Sequence, residues 1–366
     1  MDPKLFAWWS HRQGLDGGLA GQKATAVLER VGWARSVGGA APYLTLFSRA
    51  GIRREEVDAD VAKAVIHELP CARGCTYVVP AADYALALAA GQPFADEELK
   101  VARKLGVTDA EIAKLRTAVL KALSDGPLEM DALRTKVGSA ARNLGAEGVK
   151  KGIATTLPVA VGLLQSTGDI RRLPVNGRLD QQRYRYTIWQ PNPLAKWKKD
   201  KDEAFTELAR NYFSWIGPAK AADFQEFAGL GVKAAKAALE PLKLVSVAED
   251  LLLLPDDEAE FRKFKAPAQP QYVLISSIDT ILLKHEGLEG RNHKILDRGQ
   301  VIGEWAFDPQ AGTIAWAASV KKSAGLEEAV AKMEAYIRED LGDARSFSLD
   351  SPKSRIPRIE ALRKSR

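Results

Sequence analysis

Residues 108–189 constrain the fold of this chain more than any other stretch, because three helical patterns and a hairpin pattern follow one another there. The stretch opens on a predicted capping box, in which Thr108 and Glu111 each bond to the other's backbone amide. Apolar residues then recur at helical spacing, at Ile112, Leu115, Val119, Leu120 and Leu123. Gly126-Pro127 ends this helix, and we expect a second helix with an apolar face of Leu128, Leu133 and Val137. A third is predicted over 158–165, closed by Gly168.

A β-hairpin is predicted over 169–189, with its turn at Asn176-Gly177, since a tight turn of this type needs positive φ at both central residues. Three helices followed by a hairpin are the element order of a winged helix, a helix-turn-helix variant whose hairpin is the wing. The predicted fold class is α+β, mainly α, with tandem winged helices and a small β-rich domain near the C-terminus.

The predicted wing is rich in arginine and has only Asp169 and Asp180 to balance it. We expect it to contact DNA phosphates, although a charged hairpin can also be simply solvated. Lysines and threonines before the third helix would add phosphate or base contacts, and a Lys-rich linker would add phosphate contacts. The predicted DNA-binding residues are Lys150, Lys151, Thr155, Thr156, Arg171, Arg172, Arg178, Arg183, Arg185, Lys198 and Lys199.

The same order of elements occurs a second time after the Pro- and Lys-rich stretch 190–203, which has the composition of a linker. Helices are predicted over 203–215, 219–228 and 232–239, and strands over 242–247 and 250–254. An internal repeat of architecture is more informative than either copy alone.

Of the two flanking regions, the N-terminal one is predicted to be mostly helical and the C-terminal one mostly β. In residues 1–106 we expect helices over 5–9, 25–33, 43–49, 55–68 and 81–90, a strand over 76–79 and a seam over 92–96. From Gln271 on we expect a strand over 273–278, a hairpin over 294–307 turning at Gly299, a strand over 313–318 and a helix over 326–341. The predicted domains are 1–106, 107–190, 203–256 and 271–350, followed by a basic tail, 351–366, that could be a disordered arm.

Composition favours a DNA partner without demanding one, because the net charge is +6 and the pI about 9.1. The two cysteines, Cys71 and Cys75, suit a reducing compartment. No signal peptide or membrane span is visible, so we expect a cytoplasmic monomer. The glycine clusters at 14–18 and 229–231 lack the context of a phosphate loop, and we expect no nucleotide or other cofactor.

Six motifs, in this order and spacing, carry a family resemblance. They are Arg12-Gln-Gly-Leu15, Pro42-Tyr-Leu-Thr-Leu-Phe-Ser-Arg49, Tyr77-Val-Val-Pro80, Tyr212-Phe-Ser-Trp-Ile-Gly-Pro-Ala-Lys-Ala-Ala-Asp-Phe224, Ser277-Ile-Asp-Thr-Ile-Leu-Leu283 and Val301-Ile-Gly-Glu-Trp305. The chain resembles the bacterial winged-helix DNA-binding superfamily that includes glycosylases which unhook interstrand crosslinks and remove alkylated purines. The resemblance implies a C-shaped array of winged helices around double-stranded DNA, with a role in DNA repair.

The resemblance also implies a catalytic Gln-x-Gln or Gln-x-Asp just before the Tyr-Leu-x-Leu-Phe-Ser-Arg element, but here Arg35 and Val37 take those positions. Hydrolysis of an N-glycosidic bond needs a group that orients or deprotonates water, and arginine has no acceptor. Either glycosylase activity is lost in this branch, or other groups act, His11 and Gln13 being the best substitutes. A third possibility is that the winged helices bind protein.

Other motifs favour structural roles. Trp8, Trp9 and Trp33 are expected in the core more than on an extruded base, and Asp279 as a turn or capping carboxylate. His67, Cys71 and Cys75 have metal-compatible side chains, but Pro70 interrupts them and no fourth ligand is near, so no metal site is predicted. Gln269-Pro-Gln271 repeats the catalytic motif by coincidence.

Overall fold

In the part of the chain that the structure describes, helices combine with four antiparallel sheets, which agrees with the predicted α+β class. The computed structural model describes residues 2–284 and 291–365. The helices are α1 Pro3–Arg12, α2 Ala24–Val31, α3 Ala41–Ala50, α4 Arg54–Ala62, α5 Tyr84–Lys104, α6 Asp109–Leu123, α7 Met130–Val137, α8 Gly145–Lys150, α9 Thr156–Ser166, α10 Lys201–Ile216, α11 Ala221–Ala228, α12 Val232–Leu239, α13 Pro255–Lys263, α14 Ala324–Tyr336 and α15 Pro352–Lys364. No helix in these ranges is both long and apolar enough to cross a membrane.

The strands are mostly short and form sheets of two to four members. They are β1 Ala34–Arg35, β2 Ile66–Pro70, β3 Thr76–Pro80, β4 Leu128–Glu129, β5 Ile170–Pro174, β6 Tyr184–Ile188, β7 Val245–Ala248, β8 Leu251–Leu253, β9 Tyr272–Ile275, β10 His293–Asp297, β11 Gln300–Asp308 and β12 Thr313–Ala318. The strand orders are β1-β3-β2, β4-β6-β5, β7-β8 and β12-β11-β10-β9.

The first unit, residues 109–188, contains the predicted helices and paired strands. Both bonds of the Thr108–Glu111 capping box are present at the start of α6. Leu128, expected on the second helix, lies in β4 and pairs with Tyr186 of β6. The predicted tight turn is wrong: β5 and β6 are joined by residues 175–183, and only Gly177 of the Asn176-Gly177 pair has positive φ.

The second unit, residues 201–253, follows the prediction closely. The third helix, α12, has the predicted bounds, and β7 pairs with β8 in antiparallel register. Ala219 exchanges backbone hydrogen bonds of 2.9 Å with Leu252, which ties the α10–α11 connection to the hairpin.

Two predictions in the N-terminal region are wrong. The helix expected over 55–68 ends at Ala62, and Ile66–Pro70 forms β2 because it pairs with β3. The expected seam at 92–96 lies inside α5, which continues past Pro93 to Lys104. α5 packs against both α9 and α10, so it joins the two units.

The predicted core tryptophans are buried, Trp8 at 0%, Trp9 at 1% and Trp33 at 2% exposure. The expectation of a disordered C-terminal arm is wrong for the described part of it. Residues 352–364 form α15, which packs Ile359 and Leu362 against the β11–β12 face. The buried Arg355 makes a bidentate ion pair with Asp343, at 2.7 and 2.8 Å.

Candidate functional site

Strand β1 positions Arg35, the residue that takes the first catalytic position of the resembling glycosylases. Gly32 turns the chain out of α2 with φ of +94°, and a Cβ there would lie 2.8 Å from the Trp215 ring. Arg35 then pairs with Tyr77 of β3. The tight packing at Gly32 and the pairing with β3 therefore fix the backbone from which the Arg35 side chain extends.

The Arg35 side chain lines a cleft of about 180 Å³ between β3, α11 and the segment 277–283. Its Nη2 lies 3.8 Å from Cys75 Sγ, and its Nε is shielded from solvent with no hydrogen-bond partner. Within residues 2–284 and 291–365, Arg35 forms no ion pair with a carboxylate. At the edge of the cleft, Arg73 pairs with Glu226 at 2.9 Å. The cleft thus holds a cationic donor, and Arg35 offers no acceptor for a proton.

Val37 and the glycines after it are covered by two other segments. The Val37 carbonyl accepts from the Ser348 amide at 3.1 Å, and the Ala40 amide donates to the Arg345 carbonyl at 2.9 Å. A Cβ at Gly38 would lie 2.4 Å from Gln182. The backbone from Val37 to Ala40 is therefore held by residues 345–348 and by the β5–β6 connection.

Ser36, between these two positions, belongs to a buried polar group that joins β1 to the first unit. Its hydroxyl donates to Glu68 on β2, whose exposure is 3%. The other Glu68 oxygen lies 2.9 Å from Arg172 Nη2 on β5. Because Glu68 is buried, Arg172 acts as its counter-ion.

Asp279 is a turn carboxylate, as expected, and also one half of a buried ion pair. Its Oδ1 accepts from the Ile281 amide at 3.2 Å, and both of its oxygens accept from Arg49. Gln13 Oε1 accepts from Arg49 as well, while Gln13 Nε2 donates to the carbonyls of Val31 and Trp215 at 2.8 Å each. All polar atoms of the Gln13 side chain are engaged in the core.

Neither substitute catalytic residue lines the Arg35 cleft. Gln13 is fully buried, and His11 bonds through Nδ1 to Asp16 at 2.6 Å. The hydrogen bond to Asp16 raises the pKa of His11, and burial opposes it. The structure therefore places His11 and Gln13 outside the cleft that Arg35 lines.

His67 lies beside Glu68 and is buried with both ring nitrogens unpartnered. Burial, with smaller effects from Arg171 and Arg172, lowers its pKa to about 3. Its ring packs edge-on against Trp189 and Tyr84, and Cys71 Sγ donates to the Leu69 carbonyl. These contacts are those of core side chains.

Comparison with protein families assigns the chain to a family. The model described as DNA glycosylase AlkZ-like matches residues 17–336. The chain belongs to the AlkZ-like DNA glycosylase family. A solved structure, that of Streptomyces sahachiroi DNA glycosylase AlkZ, has a similar fold, with a TM-score of 0.70 and 17% identity over 94% of this chain and 98% of that chain. A search of curated proteins by sequence gives no match.

The arginines of the predicted wing have different environments in this AlkZ-like chain. Arg172 is paired with Glu68, and Arg171 has one guanidinium nitrogen shielded without a partner beside His67. Arg178 is held by Asp180 at 2.5 Å and by the Leu341 carbonyl at 2.8 Å. Arg183 is mostly exposed and lies 3.3 Å from Glu129, while Arg185 is exposed with no carboxylate partner in the described residues. Of the five, Arg185 alone is both exposed and without a carboxylate partner in the described residues.

The other predicted DNA-binding residues divide in the same way. Thr156 is buried and accepts from the Arg142 amide at 2.9 Å, while Thr155 is the N-cap residue of α9. Lys150 pairs with Glu147 at 3.0 Å, and Lys199 pairs with Glu207. Lys151 and Lys198 are exposed, and neither forms an ion pair within the described chain. They are the two lysines of the predicted set that remain available.

Sequence reasoning missed Glu68 and the exposure of α12. No local pattern marks Glu68, because its partners Ser36 and Arg172 come from distant strands. A signal for α12 did exist, since Lys233 and Lys236 sit among alanines on its outer face.

Proposed function

We propose that this AlkZ-like protein binds double-stranded DNA through two winged helices and acts in DNA repair on damaged or crosslinked duplexes. Family membership carries the proposal, and the repeated element order supports the winged-helix assignment. In the first unit, α6, α7, the six-residue α8 and α9 precede the β5–β6 hairpin, and β4 completes a three-stranded sheet. In the second, α10, α11 and α12 precede the β7–β8 hairpin. With the short α8 set aside, both units have the order of three helices and a hairpin, which supports assigning each as a winged helix.

The exposed cations without carboxylate partners supply the phosphate contacts in this proposal. Arg185, Lys151 and Lys198 belong to this class. The paired cations, Arg172, Arg178, Arg183, Lys150 and Lys199, contribute less, because their charge is already balanced. Binding that rests on phosphate contacts weakens steeply with salt.

Fluorescence anisotropy on a 25-base-pair duplex over a salt series tests the proposal. We expect log K to fall linearly with log salt, and substitution of Arg185, Lys151 and Lys198 by alanine to flatten the line. The matched control replaces Lys23, Lys63 and Lys321, three exposed lysines outside both units, with alanine. Absence of duplex binding by the wild-type protein contradicts the proposal.

A second candidate is DNA binding without glycosylase activity, and Arg35 and Val37 favour it. A protonated guanidinium cannot accept a proton from water, and valine has no polar atom. Incubation with alkylated and with crosslinked duplex, followed by detection of abasic sites, distinguishes the two. We expect binding with no abasic sites above background; excision would show that other groups hydrolyse the bond.

A further inference from the structure

The helices that directly precede the hairpins of the two units, α9 and α12, have opposite environments. In α9, eight of eleven residues are buried, and the helix packs against α5 and against α6. It contains no charged residue. A helix enclosed in this way has no free face to place in a DNA groove.

α12 is open to solvent along its outer face. Only Ala235, Ala238 and Leu239 are buried, against α10 and α11. The outer residues are Val232, Lys233, Ala234, Lys236 and Ala237, and Val232 is 72% exposed. No acidic residue lies within the helix, and neither lysine forms an ion pair with a carboxylate in residues 2–284 or 291–365.

We infer that α12 is the helix that enters the major groove of duplex DNA, and that α9 is not. This inference rests on the proposed function. The major groove admits an α-helix, and the small side chains of Ala234 and Ala237 permit close approach to the base edges. Val232 and the alanine methyls suit contact with thymine methyl groups, while Lys233 and Lys236 suit phosphates or guanine acceptors.

The surroundings of α12 define the limits of this contact. The groove beside Ala237 is lined by Lys199 and Arg210 but also by four carboxylates, so it is acidic overall and limits the DNA contact on that side; the four are Asp200, Asp202, Glu203 and Glu207. The turn of the β7–β8 hairpin carries Glu249 and Asp250, and Lys220 pairs with Asp250 at 3.1 Å. This acidic turn disfavours phosphate, so in the second unit the contact belongs to the helix and not to the hairpin.

A paired charge reversal tests the inference. The test variant is Lys233→Glu with Lys236→Glu, and the control is Lys114→Glu with Lys121→Glu, two exposed lysines on α6. Both double variants change the net charge equally. On a 25-base-pair duplex we expect the α12 variant to bind at least about 30-fold more weakly, and its salt slope to be lower by about 2 if two phosphate contacts are lost. The control should change affinity less than about threefold, with the melting temperatures of both close to wild type.

An uncharged variant tests insertion separately from charge. Ala234→Trp keeps both lysines but blocks close approach of α12 to the base edges, so it should weaken duplex binding. In a second measurement, methyl green, which binds in the major groove, should displace the wild-type protein from the duplex. Equal losses of duplex affinity in the α12 and α6 variants, or unchanged affinity in Ala234→Trp, would overturn the role of α12. The proposed function would still stand as long as the wild-type protein binds duplex DNA. If the α12 variant keeps its duplex affinity but sediments differently from wild type, the outer face of α12 is a contact between copies of this chain. Failure of the wild-type protein to bind duplex would remove both proposals.

Discussion

Arg49 and Asp279 form a two-bond ion pair in which neither side chain reaches solvent. The bonds measure 2.8 and 2.7 Å, and the pair joins α3 to the turn after β9. Gln13 adds a third partner from the chain after α1. Asp279 also lines the Arg35 cleft, so this pair fixes one wall of the cleft against two distant segments.

Asp279→Asn should lower the free energy of unfolding by about 3–5 kcal/mol, because it leaves the Arg49 cation buried without a counter-charge. Urea denaturation measures the loss. The control is Glu97→Gln, which breaks an exposed pair with Lys100 and should cost about 0.5 kcal/mol or less. Similar losses in the two variants would show that the Arg49 pair is not the constraint described above.

Arg172→Ala should destabilise the protein more than it weakens DNA binding, because Glu68 would lose its counter-ion at 3% exposure. We expect a loss of about 3–5 kcal/mol in urea denaturation. Adding Glu68→Gln should recover part of the loss, which a double-mutant cycle measures. Arg185→Ala, by comparison, should leave stability within about 0.5 kcal/mol and lower DNA affinity; the reverse pattern would contradict both assignments.

His67 makes stability depend on pH. Its folded pKa is about 3, and an unfolded histidine has a pKa of about 6.5. Between these values the unfolded chain holds a proton that the folded chain does not, so the free energy of unfolding falls as pH drops below about 6.5. The expected contribution is about 1.4 kcal/mol per pH unit between pH 6 and 4.

His67→Phe should remove this contribution while keeping the edge-on contacts with Trp189 and Tyr84. The ring nitrogens have no hydrogen bonds to lose. Urea denaturation at pH 7.5, 6, 5 and 4.5 should give a shallower pH dependence for the variant than for the wild type. His293, with a pKa of about 4 owing mainly to burial, remains in both proteins as an internal reference. Parallel pH profiles would mean that His67 is not buried in its neutral form.

The double variant Arg35→Gln, Val37→Asp should gain excision of alkylated purines. The glutamine amide orients water and the carboxylate accepts its proton, and general base catalysis is worth on the order of 10²-fold. Abasic sites on alkylated duplex, counted against the wild type and against Arg35→Gln alone, measure the gain. No gain, with duplex binding retained, would show that the cover over residues 37–40 also blocks the substrate.

Local signals predicted local structure well. The Thr108–Glu111 box sets the start of α6, since its partners are three residues apart. α12 has its predicted bounds, beginning directly after Gly231. In both cases the deciding interactions lie within a few residues of each other in the chain.

Distant partners account for the main failures. The amphipathic pattern predicts a helix over 55–68, but its last three residues belong to β2, because Ile66–Pro70 pairs with β3. Arg172 was predicted to face DNA, and Glu68, over a hundred positions earlier, shows why it turns inward. For α9 the pattern did contain the answer, because a helix apolar on all sides is a buried helix.

The length of α5 has a consequence for how this chain can be divided. Its N-terminal half shares a core with α10, and its C-terminal half shares another with α9. A fragment that begins after residue 106 would lack α5, and Val159 and Leu163 of α9 would be exposed to solvent where α5 now covers them. A single unit could therefore be exchanged between homologous chains only if α5 is exchanged together with it.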